Sequence, residues 1–404
     1  MARILIVSPG SPCRNPRPVK EAQTLGAAGH DVVLLTVSES PELDVLEKNL
    51  TAGAAYRHET VGRDPSRVAK LLQRVGIRLA VQATIAGFET LHALGAVAAL
   101  RRRARAIPAD LTIVHNELPH WIGCILLDEG RRVAADFEDW HSEDLLPADR
   151  RGRPLARLRE VERRLLHEAA YVSTTSAALS AALAARYDSP PPVVITNAFP
   201  LQSEPRSGPA GQPPAFFWFS QTIGPGRGLE EFCAAWARTT HPSRLVLLGQ
   251  IRGSFAERLR AGLPAAFRPR LAFLPLVPPG DLPAVIARHD IGLALEQPAI
   301  PSRDLTITNK ILQYLNAGLA VIASGTAGQR EVLARAPGAG LAVDPAQREA
   351  FTRQLDTLLA DRAQIGAMGA AARRAAETVY CWEKESPRLI ARVEAALAPP
   401  RRKP

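Results

Sequence analysis

The chain has 404 residues, room for two or three domains at roughly 150 residues each, which excludes a miniature disulfide-held scaffold. A composition of 46% hydrophobic and 22% charged residues excludes a largely disordered chain. The net charge is +10, but aromatic residues make up only 5% and the most basic stretch holds Phe88 alone, so a nucleic-acid-binding face is not expected.

The run Arg3–Val7 predicts a first strand rather than a signal-peptide core, which implies a cytoplasmic protein. A Ser-Pro-Gly-Ser-Pro loop follows, then a helical stretch Val19–Ala28 closed by Gly29 and a second strand at Asp31–Thr36. Strands alternating with helices imply a mostly parallel sheet with right-handed crossovers. From Gly62 to Arg105 nine basic residues stand against Asp64 and Glu89, whereas from Asp110 to Asp149 Arg131 and Arg132 stand among ten acids. The apolar stretch Ile77–Leu100 is interrupted by Arg78, Gln82, Glu89 and His92 and is too broken to span a membrane. The arginines flanking apolar runs from Arg63 to Arg105 suit peripheral contact with an anionic membrane at the inner face, or with a lipid-linked acceptor. An ordinary pair of core-packed helices would carry the same pattern. Further strands are predicted at Leu111–His115, Arg132–Asp136, Tyr171–Thr174 and Val193–Thr196, with helical spacing over Pro154–Ala170 and Ala177–Arg186. Cys13, Cys124, Cys233 and Cys381 sit in no metal-ligand spacing, and no metal is expected.

After Asn197 the alternation gives way to a run rich in Pro, Gly and Ser. The expected boundaries are an N-terminal domain over 1–200, a linker over 201–214, a second domain over 215–378, a C-terminal helix over 379–398 and a tail over 399–404. Strands of the second series are predicted at Ala215–Phe219, Arg244–Leu248, Leu271–Leu274, Ile291–Leu295, Leu319–Ala323 and Gly340–Val343. The expected fold is α/β, two doubly wound Rossmann-like domains facing an interdomain cleft, with ligands outside the carboxyl ends of the strands.

Two loops of the second domain carry chemistry. In Ser220-Gln-Thr-Ile-Gly-Pro-Gly-Arg-Gly228 the glycines Gly224, Gly226 and Gly228 allow close backbone approach, and Arg227 adds a forked cation before a helix. A tight turn with a solvated arginine would look the same. In Asp304-Leu-Thr-Ile-Thr-Asn-Lys310, Thr306 or Thr308 is placed to cap a helix whose first turn holds Asn309 and Lys310. A cation disfavours the positive end of a helix, so Lys310 points to a bound anion, with Gln313 one turn on toward a ribose or base.

With these loops on the page, the chain resembles the retaining GT-B glycosyltransferases of the family-4 type over nearly its whole length. Gly29-His-Asp-Val32, Thr174-Thr-Ser176 and Val194-Ile-Thr-Asn197 resemble the first domain of that family. Arg244-Leu-Val-Leu-Leu-Gly249, His289-Asp-Ile-Gly-Leu-Ala-Leu-Glu296 and Asn309-Lys310 through Ala323-Ser324 resemble the second. The resemblance implies transfer of a sugar from a nucleotide-diphosphate donor to a saccharide or lipid-linked acceptor in polysaccharide or glycoconjugate synthesis, with no cofactor beyond the donor. It also implies that the last helix crosses back to the first domain.

Departures from the family pattern define an Asn-Lys variant. Ser220-Gln221 and Arg227-Gly228 stand where relatives carry Gly-Arg and Lys-Gly, and Leu305 and Gln313 stand in place of the E-x7-E pair. Glu296, at a strand end, is expected to contact the donor sugar. In the first domain Glu138 and Asp139 fall where relatives have the His and Glu of Asp-x-His-Glu, so both are expected to orient acceptor or sugar, with His141 and His115-Asn116-Glu117 as secondary candidates. Two competing readings are a nucleotide-sugar isomerase of the same fold and a nonenzymatic carbohydrate- or assembly-binding protein.

Overall fold

The computed structural model describes residues 1–62, 67–203 and 212–399, and their side chains except at 67–70 and 148. Arg63, most of the expected linker and the basic end of the tail lie outside the described residues. The chain divides into two compact units, Met1–Ile195 with the chain from Ser386 onward, and Thr196–Glu385.

In unit 1 the strands are β1 (Arg3–Val7), β2 (Asp31–Val37), β3 (Arg57–Val61), β4 (Leu111–His115), β5 (Val133–Phe137), β6 (Val172–Thr174) and β7 (Val193–Val194). They form one sheet in the order β3-β2-β1-β4-β5-β6-β7, and every pairing is parallel. Central strands such as Arg-Ile-Leu-Ile-Val and Leu-Thr-Ile-Val-His read as near-continuous apolar runs because both faces of a parallel sheet are covered. The edge strand β3, Arg-His-Glu-Thr-Val, has no such run, and the apolar pattern does not reveal it. Helices Pro41–Thr51, Arg67–Ile85 and Ala98–Ala106 fill the stretch between β2 and β4.

Unit 2 holds β8 (Ala215–Ile223), β9 (Arg244–Ile251), β10 (Leu271–Leu274), β11 (Ile291–Ala294), β12 (Ala320–Ser324) and β13 (Gly340–Val343), ordered β10-β9-β8-β11-β12-β13 and again parallel. Successive residues of β8 enter opposite faces: Phe216 and Trp218 join one core cluster with Phe232 and Trp236, while Phe217 and Phe219 join another with Tyr314. β8 runs on past Phe219 through a register irregularity to Ile223, so Ser220 and Gln221 belong to the strand rather than to the following loop, with Gln221 exposed. Helix Asn309–Ala317 lies directly on β11, where a Cβ at Gly292 would overlap the ring of Tyr314. In both sheets the strand order reverses once, between β1 and β4 and between β8 and β11. At such a reversal the loops diverge and leave a crevice for a ligand.

Candidate active site

At the reversal of unit 2, where a ligand crevice is expected, the ends of β8 and β11 lie beside the start of helix Asn309–Ala317. Glu296, two residues beyond β11, is buried, and its backbone N–H donates to Ser324 Oγ at 2.7 Å. Gln329 Nε2 donates to the same Oγ at 2.9 Å, so the end of β12 fixes the backbone that carries Glu296. Lys310 Nζ donates to Glu296 Oε1 at 2.8 Å and lies 5.5 Å above the centre of the Trp218 ring. Arg227 Nη1 stands 3.7 Å from Glu296 Oε2. Burial alone would raise the Glu296 carboxyl, but Lys310 and Arg227 hold it below its ordinary value. Two cations therefore meet one carboxylate, and the balance left over is positive.

The backbone adds to that balance. Thr308 occupies the N-cap of helix Asn309–Ala317, as its sequence position suggests, but its side chain makes no capping hydrogen bond. Its hydroxyl oxygen, that of Thr306 and Glu296 Oε2 are all buried without a hydrogen-bond partner. Such atoms are costly in a folded protein, and three of them belong to residues on or next to the carboxylate and helix end that hold the two cations. Asn309 accepts from Asn197 Nδ2 at 2.8 Å, and Gln313 lies buried one turn further on. The glycine loop ends at Gly228, which has φ +74, caps helix Leu229–Trp236 and approaches Leu295 closely; Gly226 has φ +75. That helix already carries Glu230 and Glu231 in its first turn, whereas helix Asn309–Ala317 has no acid there. The better anion-binding end is therefore at Asn309.

Unit 1 has its own polar cluster at the equivalent reversal. Arg17, in the first turn of helix Pro16–Ala27, is fully buried and binds Asp136 of β5 through Nε at 2.8 Å and Nη2 at 2.5 Å. Its third nitrogen donates to the Ile195 carbonyl at 2.7 Å, and Ser173 Oγ donates to Asp136 at 2.6 Å. His115, the last residue of β4, lies 3.1 Å from Glu21 and 3.6 Å from Asp136. Burial would lower the His115 imidazole, but Glu21 and Asp136 raise it above its ordinary value. Ligand atoms of Glu21, His115 and Asp136 lie within 4.8 Å of one another, a spacing open to a metal, although Arg17 already occupies both oxygens of Asp136.

Glu138 and Asp139 follow β5 directly and are partly buried. Burial pushes the Glu138 carboxyl up, Arg17 opposes it and Asp136 adds to it, leaving it raised. The next turn is clamped by Glu162, which accepts from Ser142 N at 2.9 Å, Ser142 Oγ at 2.7 Å and Tyr187 OH at 2.5 Å. Glu143 is held by Arg159 at 2.8 Å. His141 is buried with its ring 5.4 Å from His120, and burial drops it to about 4 and His120 to about 3.

Residues 19–198 match the model of a glycosyl transferase 4-like domain, and residues 214–361 that of glycosyl transferases group 1. The chain belongs to the GT-B glycosyltransferases. A search of curated proteins finds no match to it. Among solved structures, sucrose-phosphate synthase from Thermosynechococcus elongatus is 17% identical with a TM-score of 0.71, over 98% of this chain and 100% of that one. Anabaena HepE with UDP and glucose is 15% identical with a TM-score of 0.72, over 98% and 100%. WaaG, a glycosyltransferase of lipopolysaccharide biosynthesis, is 15% identical with a TM-score of 0.63, over 96% and 99%. At these identities the likeness speaks for the fold alone.

In this GT-B glycosyltransferase Arg227, Glu296, Thr308, Asn309, Lys310 and Gln313 gather at one crevice, with Gly224, Gly226 and Gly228 in the adjoining loop. Glu138 and Asp139 lie in the other unit, beside the Arg17 cluster. Of the secondary candidates, His115 is tied into that cluster and Glu117 pairs with Arg153 at 2.5 Å. Asn116 adopts φ 67, ψ 169, a backbone conformation that few residues other than glycine accept. Arg17 and Asp136 were not singled out from the sequence. One signal for Arg17 is the same as for Lys310, a cation in the first turn of a helix with no acid there.

Proposed function

We infer that the protein transfers a sugar from a nucleotide-diphosphate donor to an acceptor hydroxyl with retention of anomeric configuration, as an Asn-Lys variant of the family-4 type, in making a polysaccharide or glycoconjugate. The observation that carries this reading is a pair of cations, Arg227 and Lys310, on one buried carboxylate, next to a helix end whose Thr306 and Thr308 hydroxyls are buried without a hydrogen bond.

When the bond between the anomeric carbon and the diphosphate oxygen breaks, positive charge grows on the sugar and negative charge on the departing phosphate. Arg227, Lys310 and the N–H groups at Asn309 are preorganised for that negative charge, which makes the leaving group better without a metal ion. Glu296 holds the two cations in place, Lys310 at one oxygen and Arg227 near the other, and lies where the donor sugar is expected. Gln313 serves the ribose, through an amide in place of a carboxylate. The acceptor hydroxyl attacks from the face the diphosphate leaves, and the departing phosphate oxygen takes its proton. Glu138 and Asp139 orient the acceptor, on a loop fixed by Arg17 and Glu162.

The test is a transfer assay with α-linked UDP-, GDP-, ADP- and TDP-sugars and a panel of saccharide acceptors, with the new linkage read by proton NMR. The expected product is α-linked and forms only with acceptor present. A β-linked product contradicts retention, and a rearranged nucleotide sugar formed without acceptor would mark an isomerase instead.

A further inference from the structure

Large exposed apolar side chains are concentrated in unit 1, on helix Arg67–Ile85 and its end. Leu71 is 62% exposed, Leu72 65%, Val75 43%, Leu79 65% and Phe88 77%. At 3.6 residues per turn, Leu71, Val75, Leu79 and Leu72 fall within about 100° of arc on one side of the helix. Arg78 and Arg74 border that arc along one flank, both exposed. The helix attaches to its unit by the other side, where Ala80 and Thr84 are buried, and Val81 lies against Gly152; Ile85, in the last turn, falls on the arginine flank, where it also approaches Gly152 and is 40% exposed. A helix that turned its only apolar stripe to the core would be ordinary; this one carries a second stripe facing away from it.

We propose that this helix is a membrane-docking element that lies in the interface of an anionic bilayer, with Leu71, Leu72, Val75 and Leu79 inserted among the acyl chains and Arg74 and Arg78 on lipid phosphates. No described helix is long and apolar enough to cross a membrane, so the contact is peripheral. Charge selects this occupant over a second copy of the chain. There is no Asp or Glu between 67 and 85, so a two-fold pairing of the helix would bring arginines together with nothing to neutralise them, whereas a negative bilayer supplies the complement. Apolar insertion and two basic contacts together give reversible binding of the kind that salt weakens. The proposal is independent of the donor site in unit 2.

The test is co-sedimentation of the full chain with vesicles of phosphatidylcholine alone and of phosphatidylcholine with roughly one third phosphatidylglycerol, at low and at physiological salt. The protein is expected to bind the anionic vesicles at low salt, to bind the neutral ones at least about tenfold less, and to lose affinity as salt rises. The pair Leu72→Asp and Leu79→Asp, at exposed positions, is expected to cut binding by about tenfold or more with an unchanged Tm. Arg74→Ala with Arg78→Ala is expected to weaken binding to anionic vesicles and leave the weak binding to neutral ones unaltered. Absence of binding to anionic vesicles at low salt, or full binding by the Leu72→Asp, Leu79→Asp variant, would overturn the proposal. So would light scattering that finds a dimer which this variant converts to monomer.

Discussion

Lys310 stands where the helix dipole repels it, and what holds it there is Glu296, itself buried and pulled below its ordinary carboxyl value by Lys310 and Arg227. Removing the ammonium alone strands a buried carboxylate, so Lys310→Ala is expected to cost about 3–5 kcal/mol and to lower nucleotide affinity as well. Lys310→Met combined with Glu296→Gln removes both charges; melting with and without a nucleotide-diphosphate sugar is expected to show Tm recovered but the nucleotide response still lost. Arg227, 37% exposed at its side chain, is expected to behave differently, with Arg227→Ala leaving Tm nearly unchanged and weakening nucleotide-diphosphate binding by about tenfold. Lys310 was legible in the sequence because a lone lysine at a helix start conflicts with a local rule, and Arg227 because it sits in a glycine-rich turn before a helix. Asp136 was not, since a carboxylate inside a buried strand becomes meaningful only when Arg17, more than a hundred positions away, folds onto it.

At the scale of elements, the site depends on how closely helix Asn309–Ala317 sits on β11. Gly292→Ala would drive a methyl into the Tyr314 ring and push that helix outward, so it is expected to lower Tm and nucleotide affinity together, checked by melting and titration calorimetry. In unit 1 Glu162 clamps the 141–143 turn that follows Glu138 and Asp139, and on their proposed acceptor role Glu162→Gln is expected to raise the acceptor KM while leaving nucleotide binding to unit 2 unaltered. Apolar runs in β1, β4, β8 and β12 made the parallel sheets readable from sequence. The pair of helices read over the basic stretch is present as Arg67–Ile85 and Ala98–Ala106, but the polar edge strand β3 was not legible, because edge position and partial exposure remove the pattern that a buried strand must have. The continuation of β8 past Phe219 was hidden for a similar reason: Ser220, Gln221 and Thr222 look like a loop, and only the pairing with β9 makes them strand.

For the molecule as a whole, acid is expected to act through histidines that burial holds neutral. His120 and His141 are held neutral by burial, down to about 3 and about 4, whereas in the unfolded chain they take up protons near 6.5. The unfolded state therefore binds more protons over that window, and stability falls as pH drops through it. Glu296 has the opposite history: its lowered value gives stability that is present above the ordinary carboxyl range and is lost only as pH falls below it. Urea melts from about pH 7 to about pH 5 are expected to show a decline that His141→Phe makes shallower by up to about 1.4 kcal/mol per pH unit. The central claim is that the crevice of unit 2 binds a nucleotide-diphosphate sugar through Arg227 and Lys310. The most direct measurement is the thermal shift of the protein, of Arg227→Ala and of Lys310→Met with Glu296→Gln against UDP-, GDP-, ADP- and TDP-sugars. A saturable rise in Tm with at least one donor, sharply reduced in both variants, is the expected result; no rise with any donor, or an undiminished rise in both variants, would contradict the account.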